Sequence, residues 1–153
     1  MAAGLFVLTI AMGVGIFAVT MSIWIPRVKA AYDNRKSIAE TLSATITSSG
    51  IERAISQYHE FKATAPAAYN FDEDELNTLG YQLIKAKKLK ESVRIFQLNV
   101  EAYPQSANTY DSLAEAYMND GDKPQAIANY QKSLRLNPKN GNAVKMLEKL
   151  NAP

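Results

Sequence analysis

The chain repeats itself at an interval of 34 residues: Glu73–Ser106 and Ala107–Asn140 align with no gap. Leu76 falls on Tyr110, Leu79 on Leu113, Gly80 on Ala114 and Leu83 on Tyr117. Further on, Ser92 falls on Ala126, Phe96 on Tyr130, Val100 on Leu134 and Pro104 on Pro138. A unit this short cannot bury its apolar face alone, so it must stack on a neighbour built the same way. Spacings of three and four residues within each half predict two amphipathic helices per unit. Gly80 and Ala114 are small where those two helices must approach closely. Asp122 predicts an N-cap for the second helix of its unit, with Gln125 three residues on and Pro124 in the first turn. Asp72 and Glu75 predict the same ahead of the first unit. Pro104 and Pro138 close the pairs, because proline cannot continue the backbone ladder.

Two units need covered ends, and the flanking sequence offers both. Ile51–Pro66 echoes a second helix, with Ala54, Ile55, Tyr58 and Pro66 in the register of Ala126, Ile127, Tyr130 and Pro138. Its partner is expected over Ser37–Ser49, turning at Ser49-Gly50. Residues 37–72 thus read as a degenerate helical pair followed by a short insertion around Tyr69–Phe71. Residues 141–153 read as a capping helix, with Val144, Leu147 and Leu150 on its apolar side and lysines on the other. The expected fold class is all-α, a short α-solenoid.

These residues resemble the tetratricopeptide repeat family, a helix–turn–helix unit of 34 residues. Tyr110, Leu113, Ala114, Tyr117, Gly121, Ala126, Tyr130 and Pro138 carry the resemblance, with Leu79, Gly80, Phe96 and Pro104 in the weaker unit. It covers about half of the chain. The resemblance implies that the first helices of successive units line a groove that holds an extended peptide or a helix of another protein. Mapped by register, that groove shows Asn77, Tyr81 and Ile84, then Asn108, Asp111, Glu115 and Met118, then Lys145. Some relatives clamp a terminal carboxylate with Lys and Asn residues. Tyr81 and Glu115 stand where such asparagines belong, so a neutral or basic ligand segment is the expectation. From about Ser37 onward the wording also resembles the tail of bacterial serine hydrolases of the beta-lactamase-related and esterase type. That resemblance implies, as an alternative, a detached accessory domain without catalytic residues of its own.

The start of the chain has a different character. Residues 2–25 carry no charge, and as a helix these 24 residues would rise about 36 Å, enough for a hydrocarbon core of about 30 Å. A retained transmembrane helix is expected, with a cleaved signal peptide as the alternative. Trp24, Arg27, Lys29, Arg35 and Lys36 are the expected membrane-interface residues, and 26–36 a basic juxtamembrane segment. The charge bias favours cytoplasmic repeats on a single-pass protein, with a periplasmic placement as the alternative. Partners are then the lipid bilayer, through residues 2–25, and one or more proteins of a membrane complex.

Chemistry finds little foothold. The 153 residues hold no cysteine and a single histidine, His59, and the net charge is +2. Thiolate metal sites and cysteine nucleophiles are excluded. No serine has a lysine three residues on, and no G-x-S-x-G elbow occurs. Asp72–Glu75 lacks the glycine and ligand spacing of a calcium loop. No catalytic residue, metal or cofactor is expected. Lys85, Lys87, Lys88, Lys90 and Arg94 form a candidate basic patch for an acidic partner or a membrane surface, though solvated turn residues explain them as well. Without interleaved aromatics or an overall basic bias, nucleic acid is not an expected partner. The expected function is protein–protein interaction, as a scaffold or accessory subunit of a larger complex.

Overall fold

The computed structural model describes residues 34–152. The chain divides into two compact units, residues 1–35 and 36–153, and of the first only residues 34 and 35 are described. The expected transmembrane helix 2–25, with Trp24, Arg27 and Lys29, lies outside the described residues. No helix among those described is long and apolar enough to cross a membrane. The longest have 14 residues, a rise of about 21 Å against a core of about 30 Å. The expectation of a single-pass membrane protein, with its repeats on either side, is corrected accordingly.

Among the described residues seven helices follow one another, the first six in three pairs and the last by itself. They are α1 (Ile38–Ser49), α2 (Ile51–Thr64), α3 (Glu73–Lys85), α4 (Leu89–Ala102), α5 (Ala107–Asp120), α6 (Lys123–Leu136) and α7 (Gly141–Asn151). Each helix packs on the next within its pair, and the first helices α1, α3 and α5 also stack side by side, as do α2 and α4. The core is correspondingly a series of local clusters. One joins Leu42, Ile46, Tyr58, Leu76, Leu79 and Leu98; the next joins Val93, Phe96, Leu113 and Ala116; the last joins Ala114, Ala126, Tyr130 and Ala143. Such quasi-one-dimensional packing is that of a solenoid, in which each unit is stabilised by its neighbours. The all-α solenoid class therefore holds.

The repeat register governs polar contacts as well as apolar ones. Ser133 Oγ donates to the Ala107 carbonyl at 2.8 Å, and Asn99 Nδ2, one repeat earlier, donates to the Glu73 carbonyl at 3.1 Å. Both bonds tie the second helix of a pair to the first residue of its partner. Ser92 Oγ bonds the Gly80 carbonyl at 3.0 Å inside the core. These buried hydroxyls and amide N–H groups are tolerated because each finds such an acceptor.

Two features of the N-terminal end depart from expectation. Lys36–Ser37 (β1) and Tyr69–Asn70 (β2) form a short parallel pair, Lys36 opposite Tyr69 and Ser37 opposite Asn70. The insertion is thereby tied to the start of α1, and Lys36 is a strand residue whose ammonium lies 6.0 Å from the Tyr69 ring centroid. The expected capping of α3 by Asp72 and Glu75 is also corrected. Asp72 makes no side-chain cap bond to α3. Glu75 turns away to α1, where it accepts from Ser37 Oγ at 2.5 Å and from the Ala39 N–H at 3.0 Å, while its other oxygen accepts from Asn70 at 3.1 Å. A carboxylate is well placed there, since free N–H groups and the helix dipole both favour negative charge.

The turns between paired helices differ in a way the repeat makes legible. Gly121 ends α5 in the left-handed region at φ 86°, which glycine adopts without penalty. Asp122 then caps α6 by accepting from the Gln125 N–H at 3.1 Å. At the same register in the preceding unit, Lys87 is held at φ 63° and Lys88 starts α4 with no side-chain cap bond. The combined substitution Lys87→Gly and Lys88→Asp is expected to stabilise the protein by about 1–2 kcal/mol, by removing the left-handed penalty and supplying a cap. A rise in the urea midpoint with an unchanged slope is the result to look for; an unchanged midpoint would refute this account of the turn.

Candidate functional site

The face built by α3, α5 and the start of α7 brings together most of the residues that the repeat register assigns to a groove. Its centre is a bond between equivalent positions of successive units: Tyr81 Oη donates to Glu115 Oε2 at 2.8 Å and lies 3.3 Å from Ser112 Oγ. The Tyr81 ring is held edge-on to Phe96, with centroids 5.2 Å apart. Burial pushes the Tyr81 hydroxyl up to about 12, the contact with Ser112 pulls the other way, and the Glu115 carboxylate adds to the rise. The hydroxyl is therefore a donor throughout the neutral range, and Glu115 the acceptor.

Asp111 is held from the other side. Asn140 Nδ2 donates to its Oδ1 at 3.0 Å and Asn142 Nδ2 to its Oδ2 at 2.8 Å. Asn140 at the same time caps α7, accepting from the N–H groups of Asn142 and Ala143. One turn before Tyr81, Asn77 is half-buried and its Oδ1 is a buried acceptor with no partner. Ile84 packs on the Val93–Phe96 cluster and Met118 on the Ala114–Tyr130 cluster, both partly exposed. Asn108 is exposed and donates to Glu73 Oε1 at 2.8 Å. Lys145 is exposed on α7.

Ser112, Asn140 and Asn142 join this network without having been anticipated. Asn142 could have been found, since it is Asn108 displaced by one repeat. Ser112 sits at a buried position whose hydroxyl carries no pattern of its own.

The basic residues in and around the α3–α4 turn differ in their surroundings. Lys90 pairs with Asp120 at 2.6 Å, across to the next unit. Arg94 reaches back to Glu52 on α2, with Nε at 3.2 Å and Nη2 at 2.9 Å. Lys85, Lys87 and Lys88 remain exposed at the turn. His59 is exposed, 3.8 Å from Glu101. Among the described residues no three His, Asp or Glu side chains gather as a metal site.

Comparison with known proteins agrees with the helical-repeat fold. Residues 107–140 match the family model described as tetratricopeptide repeat. Solved structures of the same fold include the second TPR domain of human RPAP3 in complex with the HSP70 peptide SGPTIEEVD, at 18% identity and a TM-score of 0.55, with 80% of this chain and 99% of that one covered. The first TPR of Spaghetti (RPAP3) bound to the HSP90 peptide SRMEEVD is similar at 17% identity and a TM-score of 0.51, covering 76% and 94%. MamA 41-end from Desulfovibrio magneticus RS-1 is similar at 22% identity and a TM-score of 0.50, covering 74% of this chain and 62% of that one, less than two thirds of its length. No curated protein matches the sequence. The described residues thus carry a tetratricopeptide-repeat fold. The likeness to hydrolase tails rests on wording alone.

Proposed function

We propose that this protein holds a segment of another protein on the face formed by α3, α5 and α7, acting as a scaffold or accessory subunit of a larger assembly. The observation that carries the reading is the Tyr81–Glu115 bond between successive units, flanked by partly exposed Ile84 and Met118. It offers polar groups for register and apolar surface for contact, the two ingredients of a segment-binding site. The RPAP3 domains of like fold are bound to HSP70 and HSP90 peptides that end in Glu-Glu-Val-Asp. Here two carboxylates, Asp111 and Glu115, occupy the face, and they would repel such an acidic tail. The segment held is neutral or basic.

Photo-crosslinking in the native host tests this. A benzoyl-phenylalanine at Met118 or Lys145 is expected to capture one and the same chain, and one at exposed Arg53 on α2 is not. Capture from Arg53 alone, or from none of the three, would refute the assignment of the face. Were the captured chain a serine hydrolase, the protein would be a detached accessory domain.

A further inference from the structure

The carboxylates of this face are satisfied by neutral donors only. Glu115 accepts from a tyrosine hydroxyl through Oε2, and Asp111 from two asparagine amides. The ion pairs among the described residues are Arg53–Glu60, His59–Glu101, Lys90–Asp120 and Arg94–Glu52, and none of them includes Asp111 or Glu115. Both acids are half-buried and stand four residues apart on α5, a like-charge spacing that disfavours the helix. Partial burial strengthens their mutual repulsion, because water screens it less. Lys145, at the register of Asp111 one unit on, is exposed and pairs with neither.

The two carboxylates therefore leave negative charge in surplus where the partner segment would lie. A group with several N–H donors and a positive charge complements them, and the guanidinium or ammonium of a long side chain is such a group. Ile84 and Met118 supply apolar surface against which its methylene stem can rest.

We infer that the face recognises its partner through one arginine or lysine side chain, whose cation is held by Glu115 and Asp111. The inference rests on the reading of this face as the protein-binding site, and adds the chemistry that selects the segment. It accounts for two acids kept side by side without a countercharge: the countercharge arrives with the partner.

A random peptide library displayed on phage, panned against the intact protein, provides the probe. Enriched peptides are expected to share a fixed Arg or Lys and to shield Tyr81 and Met118 in NMR spectra. A synthetic peptide of the enriched sequence should bind Glu115→Gln weaker by on the order of tenfold. Gln keeps the acceptor for Tyr81, so this variant should fold as the parent does. Replacing the basic residue by norleucine should weaken binding to the parent at least as much, and should cost less in the variant, where only Asp111 still holds the cation. Panning against Glu115→Lys should replace the basic position by Asp or Glu. Peptides that shield the face without a fixed basic residue would overturn this inference while leaving the binding face intact. Peptides that bind elsewhere, or no enrichment at all, would overturn both.

Discussion

Phe96→Ala is expected to remove about 3–5 kcal/mol of stability, the usual cost of deleting a fully buried aromatic side chain. Domains of this size have about 5–15 kcal/mol in all, so the variant should be largely melted near physiological temperature. The size of the effect follows from what the ring joins. Phe96 is fully buried on α4, packs with Leu113 and Ala116 of α5, and meets Tyr81 of α3 edge-on. It lies so close to α3 that a Cβ added at Gly80 would come within 2.6 Å of its Cε2 and 2.7 Å of its Cε1. Gly80→Ala in the parent must therefore displace a packed ring, at a cost of about 1–3 kcal/mol. With Phe96→Ala in place, the same methyl would enter the vacated space and become stabilising. The sign reversal, read from urea midpoints in a double-mutant cycle, isolates the ring–glycine contact. An equal cost of Gly80→Ala in both backgrounds would sink this account. The second repeat shows the alternative solution, Ala114 at the register of Gly80 and Tyr130 at that of Phe96, both buried.

The helical architecture was legible because its determinants repeat. Small residues at Gly80 and Ala114, aromatics at Phe96 and Tyr130, and prolines at Pro104 and Pro138 recur at one interval, and a periodic pattern can be read without knowing any contact. The glycine turn at Gly50, with φ 84°, and the cap at Asp122 are equally local. What escaped reading is what joins residues distant in sequence. Glu75 looks like half of a local capping box, yet its carboxylate serves the start of α1, 36 residues away from Ala39. The pairing of β1 with β2 involves two residues on each side, too few to show any alternation. Asp111 was assigned to a groove by register alone. That its two oxygens are taken by Asn140 and Asn142, 29 and 31 residues on, depends on where α7 docks. The apolar start of the chain was the loudest single feature and falls outside the described residues. No helix among the described residues is of membrane-spanning length.

Alkaline pH should unfold this protein in one cooperative step, for a reason that lies in its tyrosines. Burial, reinforced by the negative charge of Tyr103 and Glu101, pushes the Tyr58 hydroxyl up to about 12. Tyr81 rises to about 12 for the causes already given, and burial raises Tyr130 as well, with Asp111 and Glu115 adding to it. In the unfolded chain a tyrosine ionises near pH 10. The folded state therefore favours the neutral phenol, and its contribution is complete below about pH 10 and lost as pH rises through about 12. For Tyr58, only 1% exposed, a gap of about two units corresponds to about 2–3 kcal/mol. Stability should thus stay level from neutral pH to about pH 10 and then fall steeply, with tyrosinate absorbance and loss of helical circular dichroism rising together. The Lys90–Asp120 pair, its ammonium exposed, contributes little to this loss. Tyr58→Phe tests the tyrosine cause directly. It removes an ionisable phenol while keeping the ring against Phe71, 5.3 Å away, and should move the alkaline midpoint upward. Tyrosines that titrate near pH 10 while the helices persist would show that these hydroxyls are not sealed in the solenoid core.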